Sequence, residues 1–96
     1  MSAMTRVVFK YPLEAVTVID VPPRARVVRV GMDASRPCVW LEHYHPVSDD
    51  LKEQRTFHLF VTGEPFDENF EHVGSFAAQK GSFIGHVYEA ISVQGN

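Results

Sequence analysis

Chemistry in this chain would have to come from its five histidines, its single cysteine and a few glycine turns. The spacing closest to a metal site is in LEHYHP, where His43 and His45 stand two apart. On a strand both imidazoles would project from one face. Zinc needs three or four ligands, and His58 is the nearest candidate for a third. If the segments holding these residues paired as a hairpin, setting Leu41 against His58 would gather the three histidines. Setting Leu41 against Phe57 or Leu59 would instead gather Val39, Leu41, Phe57, Leu59 and Val61, and turn His58 away towards Trp40 and Glu42. The second register buries more apolar surface. The expectation is therefore no metal, with His43 and His45 a solvated pair at a strand end.

Other catalytic patterns are weaker. Cys38 follows Pro37 at a strand start, where a free cysteine packs as a small hydrophobe, and the serines lack a GxSxG elbow. In GSFIGHVYE, His86 and Glu89 are three apart, so a strand sends them to opposite faces. His86 would share its face with Ile84 and Tyr88, either in packed surroundings or in a pocket. AQKGSF could form an anion nest in which Lys80 assists, but a hairpin turn explains the same letters. No catalytic residue and no cofactor are expected.

The elements that must position these groups are short β-type runs cut by turn residues. TRVVFKYPL ends at a proline, which suits an edge strand. AVTVIDV runs into VPP, ARVVRVGM into DASRP, and CVWLEHYH into Pro46. VSDDLKEQ is a polar connection with room for one helical turn. RTFHLFVT ends at Gly63, and GEPFDENF is a loop with a short helix after Pro65. EHVGSFA, the AQKG turn and a long strand SFIGHVYEAISV complete the chain. Phe83, Val87, Ala90 and Ile91 also fit a helical stripe, but Gly85 and the Val, Ile and Tyr content favour strand. The reading is mainly β: a small antiparallel sandwich or partly open barrel of about seven strands with little helix.

Ninety-six residues make a single domain, 1–96. With 45% hydrophobic residues, 22% charged and eleven aromatic side chains in all, the composition is that of a globular chain. A net charge of −3 argues against duplex nucleic acid, which selects a basic stripe. A lone cysteine fits a reducing compartment. No apolar run is long enough for a membrane span. A cytosolic protein follows. Open sheet edges and surplus aromatics favour a homo-oligomer.

Three segments in order, VVFKYPLE, RTFHLFVTGEPF and HVGSF followed by GSFIGHVYE, resemble a family of small phage-encoded proteins of unknown function. In that family a K-[FY]-P-L start, an R-x-F-x-[IL]-F-x-T-G strand and turn, and a terminal G-x-F-[VI]-x-H-V-[FY]-E recur. The matching positions are Lys10, Pro12, Leu13, Arg55, Phe57, Phe60, Thr62, Gly63, Gly74, Phe76, Gly81, Phe83, His86, Val87 and Glu89. LEHYHP departs from the pattern. The resemblance implies an accessory protein made during infection, in the host cytosol, that binds stoichiometrically rather than turning over a substrate.

Two binding modes follow, with a virion-assembly or structural role as a third possibility. One is binding of a host protein, which is thereby inhibited or redirected, through sheet edges and aromatic anchors such as Tyr44, Phe66 and Phe70. The other is sequestration of a small nucleotide signal between protomers, with Arg55, Lys80, His86 and Tyr88 lining the pocket.

Overall fold

A computed structural model describes residues 5–45 and 52–91. The helical turn expected around Ser48 lies outside the described residues. Among the described residues seven strands form: β1 (Thr5–Pro12), β2 (Val16–Val21), β3 (Arg26–Asp33), β4 (Arg36–His45), β5 (Glu53–Val61), β6 (Phe70–Ala78) and β7 (Phe83–Ala90). They make two antiparallel sheets, ordered β1-β4-β3 and β2-β5-β7-β6. The sheets do not close into a barrel.

Alternation along the strands builds one core between the sheets. Val39 and Leu41 point in from β4, and Ile19 and Val21 from β2. Phe57, Val87 and Phe76 come from β5, β7 and β6. Five of these, Val21, Val39, Leu41, Phe57 and Val87, are wholly inaccessible to solvent. At about 25 cal/mol per Å² of apolar surface, each such side chain contributes roughly 1.5–3 kcal/mol.

Two expectations about pairing and loops need correcting. The strands that carry His43 and His58 do not form a hairpin: β4 pairs with β1 and β3, while β5 pairs with β2 and β7. Val39, Leu41 and Phe57 still meet, but across the interface between sheets rather than along one sheet. Nor does a helix follow Pro65; residues 64–69 are irregular. There the Asp67 carboxylate accepts the Asn69 N–H at 2.8 Å, and Ile91 N–H donates to Asn69 O at 2.9 Å. These bonds hold the loop against the sheet. The last segment is strand throughout Phe83–Ala90, as the composition favours.

The gap left by Gly85 is filled by an aromatic ring. A Cβ at this position would lie 2.3 Å from Phe76 Cζ. Gly85 therefore lets Phe76 of the neighbouring strand lie flat against β7 inside the core.

Candidate functional site

The four-stranded sheet has two chemically different faces, and β5 and β7 contribute to both. On the inner face Arg55 and Glu89 form a two-point ion pair. Arg55 Nε donates to Glu89 Oε2 at 2.6 Å and Nη2 to Oε1 at 2.7 Å. Arg55 Nη1 donates to the carbonyl of Ala25, next to β3 of the other sheet. The hydrogen bonds to Glu89 hold the Arg55 guanidinium above its ordinary pKa, against the opposing pull of burial. The side chains are 17% and 23% exposed. This fork-to-fork contact joins β5 to β7 within the four-stranded sheet, and the bond to Ala25 reaches toward the other sheet. It borders an open cleft of about 760 Å³ that Arg24, Glu53 and Glu71 also line.

On the outer face the register sets β5, β7 and β6 side by side. His58 lies opposite Tyr88 and Phe60 opposite His86; across the next boundary His72 lies opposite Tyr88 and Ser75 opposite His86. The extra residue between His72 and Gly74 is a β-bulge, and it keeps both His72 and Ser75 on this face. Four side chains thereby form a hydrogen-bonded string. Thr62 Oγ1 is 2.9 Å from His86 Nε2, His86 Nδ1 is 2.8 Å from Ser75 Oγ, and Ser75 Oγ is 3.2 Å from His72 Nε2.

Beside the string lies an aromatic cluster. The turn at Gly63 (φ +92°) sends residues 64–69 back over the sheet, and Phe66 stacks on Phe60 with centroids 4.1 Å apart and planes 7° apart. Phe66 also meets Tyr88 at 4.7 Å, and Phe70 meets Phe60 edge-on at 5.3 Å. His72 packs edge-on against Tyr88 at 5.1 Å, which joins cluster to string. Phe66 remains 42% exposed. Within the strands this face carries histidine, hydroxyl, aromatic and aliphatic groups, with Asp20 and Gln54 at one end, and no Lys or Arg.

The four residues expected to line one pocket are thus distributed over three places. His86 and Tyr88 share the outer face. Arg55 is on the inner face with its donors committed to Glu89 and Ala25. Lys80 sits in the β6–β7 turn, Gln79–Gly81, in left-handed backbone (φ +56°). The same turn places Gly81 at φ +88° and is closed by Ser82 N–H donating to Gln79 O at 3.1 Å, a hairpin connection. Of the expected anchors, Phe66 and Phe70 join the outer cluster, while Tyr44 belongs to the other sheet.

Of the two histidines expected to be a solvated pair, His43 behaves otherwise, and the side chain of His45 lies outside the described residues. Val39, Leu41 and His43 alternate inward, so His43 is 6% exposed and against Phe9 at 5.3 Å. Its Nδ1 donates to Tyr44 O at 3.0 Å, and its Nε2 is buried without a partner among the described residues. His58 is on the outer face of the other sheet, with its ring edge-on to Phe70 at 4.7 Å.

Three partners of the outer string, Thr62, His72 and Ser75, are missed by sequence reasoning. Their signal was strand parity, but it needed the register of three strands and the position of a bulge. Chemically, Ser75 and His86 have the spacing of a nucleophile and base. Thr62, rather than a carboxylate, holds the far nitrogen, and among the described residues the imidazole has no carboxylate hydrogen-bonded to it as the third member of a triad. The string can donate and accept hydrogen bonds at the surface of the sheet.

Fold and site together define a small two-sheet β domain with a paired inner face and an aromatic, hydrogen-bonding outer face. A family model described as "Domain of unknown function (DUF7352)" matches residues 4–95, and the chain belongs to that family. No curated protein and no solved structure matches it.

Proposed function

We propose that the protein acts by stoichiometric, non-covalent binding of a partner protein through the outer face of the four-stranded sheet. One observation carries this reading: Phe66 is stacked on Phe60, left substantially exposed, and flanked by the Thr62–His86–Ser75–His72 string. Protein contact sites favour this chemistry, with aromatic anchors at the centre and satisfiable polar groups around them. The resemblance to phage-encoded proteins supports a host factor as that partner, to be inhibited or redirected in the host cytosol. Sequestration of a nucleotide is less well supported. The strands of this face present no cation for a phosphate, and Arg55 is committed to Glu89 on the other face.

Capture from host-cell lysate tests the proposal. The wild type and an Arg26→Ala control, altered on the other sheet, should retain one partner at equal molar ratio. Phe66→Ala combined with His86→Ala should release it. A partner held equally by all three, or no stoichiometric partner, would overturn the proposal. A virion protein as the partner would replace the host-factor reading with an assembly role.

A further inference from the structure

Four strands lie at sheet edges, and three of them are protected. β3 and β6 both carry bulges and lie alongside each other, so close that a Cβ on Gly74 would be 2.9 Å from Val30 Cγ2. β1 carries Arg6 and Lys10 and ends at Pro12. Bulges, charges and prolines are the usual means of keeping an edge from pairing. β2, with the sequence VTVIDV, has neither bulge nor proline nor basic residue, and pairs with β5 in unbroken register. Its outward side chains Val16 and Val18 are 54% and 56% exposed.

The direction of its backbone groups left unpaired among the described residues follows from one bond. Ala15 O accepts the Leu59 N–H at 3.0 Å. By alternation the odd residues of β2 face β5, and Val16, Val18 and Asp20 turn both N–H and C=O away from the sheet. From this we infer that β2 pairs antiparallel with β2 of a second copy about a two-fold axis through Val18. The inference does not depend on the binding proposed above.

Register selects this arrangement. With Val18 opposite Val18 of the second copy, Val16 lies across from Asp20, and all the outward groups engage in about six backbone hydrogen bonds. A slip of two residues one way sets Glu14 against Asp20, like charge on like. A slip the other way brings Pro22, which has no N–H, into the ladder. The contact joins the two four-stranded sheets into one continuous sheet. Two six-residue strands bury less than the roughly 1,200 Å² of a stable complex, so the dimer is weak and concentration-dependent.

Sedimentation equilibrium tests this. The wild type should shift from monomer to dimer between about 10 μM and 1 mM, the range of a weak interface. Val18→Lys should weaken the shift at least tenfold, whereas Val8→Lys on the β1 edge should leave it unchanged. Cross-linking reports the register without relying on a charged variant. Paired Cα atoms here stand about 5.5 Å apart, within disulfide reach. Under mild oxidant Val18→Cys should form a covalent dimer and Val16→Cys should not, Cys38 being buried. A monomeric wild type over the whole range, dimerisation lost in Val8→Lys but kept in Val18→Lys, or equal cross-linking of both cysteine variants would overturn the inference.

Discussion

The inner and outer faces of β5 and β7 are made by the same two strands, residue by residue in alternation, yet they are organised differently. Inside, Arg55 and Glu89 complete each other's hydrogen bonds, and Phe57, Val87 and Phe76 are packed around the gap at Gly85. Outside, His86 and Tyr88 join hydroxyls and rings that remain partly open to solvent. The difference separates the face that holds stability from the face that, in the proposed binding, leaves contacts open to a partner. Inner-face changes should cost folding, and outer-face changes should cost binding.

The largest expected effect comes from removing half of the inner ion pair. Glu89→Ala leaves the Arg55 guanidinium between the sheets without its carboxylate, and should destabilise by about 3 kcal/mol in urea denaturation. Captured partner per folded molecule should not change. A loss under about 1 kcal/mol would mean that the pair is a surface contact, of the kind worth little.

Next is Gly85→Ala, which puts a methyl group into the Phe76 ring. Overpacking of this kind costs about 1–3 kcal/mol, read as a lowered urea midpoint. Phe76→Leu in the same chain should recover part of the loss, because the smaller side chain vacates the contact; no recovery would place the strain elsewhere.

Phe66→Ala should behave in the opposite way. Losing a half-exposed ring over a sheet costs about 1 kcal/mol of stability, while partner capture should fall at least tenfold. Smallest is Ser75→Ala. It cuts the string between His86 and His72, all of it near solvent, and should change stability by about 0.5 kcal/mol. Its signature is a change in the His86 and His72 imidazole resonances by NMR, with the core methyl resonances of Val87 and Leu41 unmoved.

Much of this contrast was legible in the sequence, for a simple reason. Period-two alternation assigns a face as soon as a segment is read as strand. It separated His86 from Glu89, and it would equally have placed Arg55 with Phe57 and Leu59 on the apolar side. Strand boundaries followed from Pro12, Pro22, Gly63 and the turn before Phe83. What alternation cannot give is which strands are neighbours. β4 and β5 follow each other in the chain but enter different sheets, so a hairpin register between them misassigned His43 and His58. The outer string needed still more: the β5–β7–β6 order and the bulge after His72 that keeps Ser75 in phase. The ring over Gly85 came from β6, a contact encoded by a glycine in one strand and a phenylalanine in another.

Trp40 is the only tryptophan and lies on the three-stranded sheet under the Arg29 guanidinium, 4.7 Å from its ring centroid. It reports on the surface remote from the candidate site. The most direct test is therefore NMR of the protein labelled at histidine and tryptophan, with and without its captured partner. The account predicts that the His72 and His86 ring resonances shift or broaden on binding while the Trp40 indole resonance stays in place. Movement of Trp40 with unchanged His72 and His86 would put the binding surface on the other sheet and contradict it.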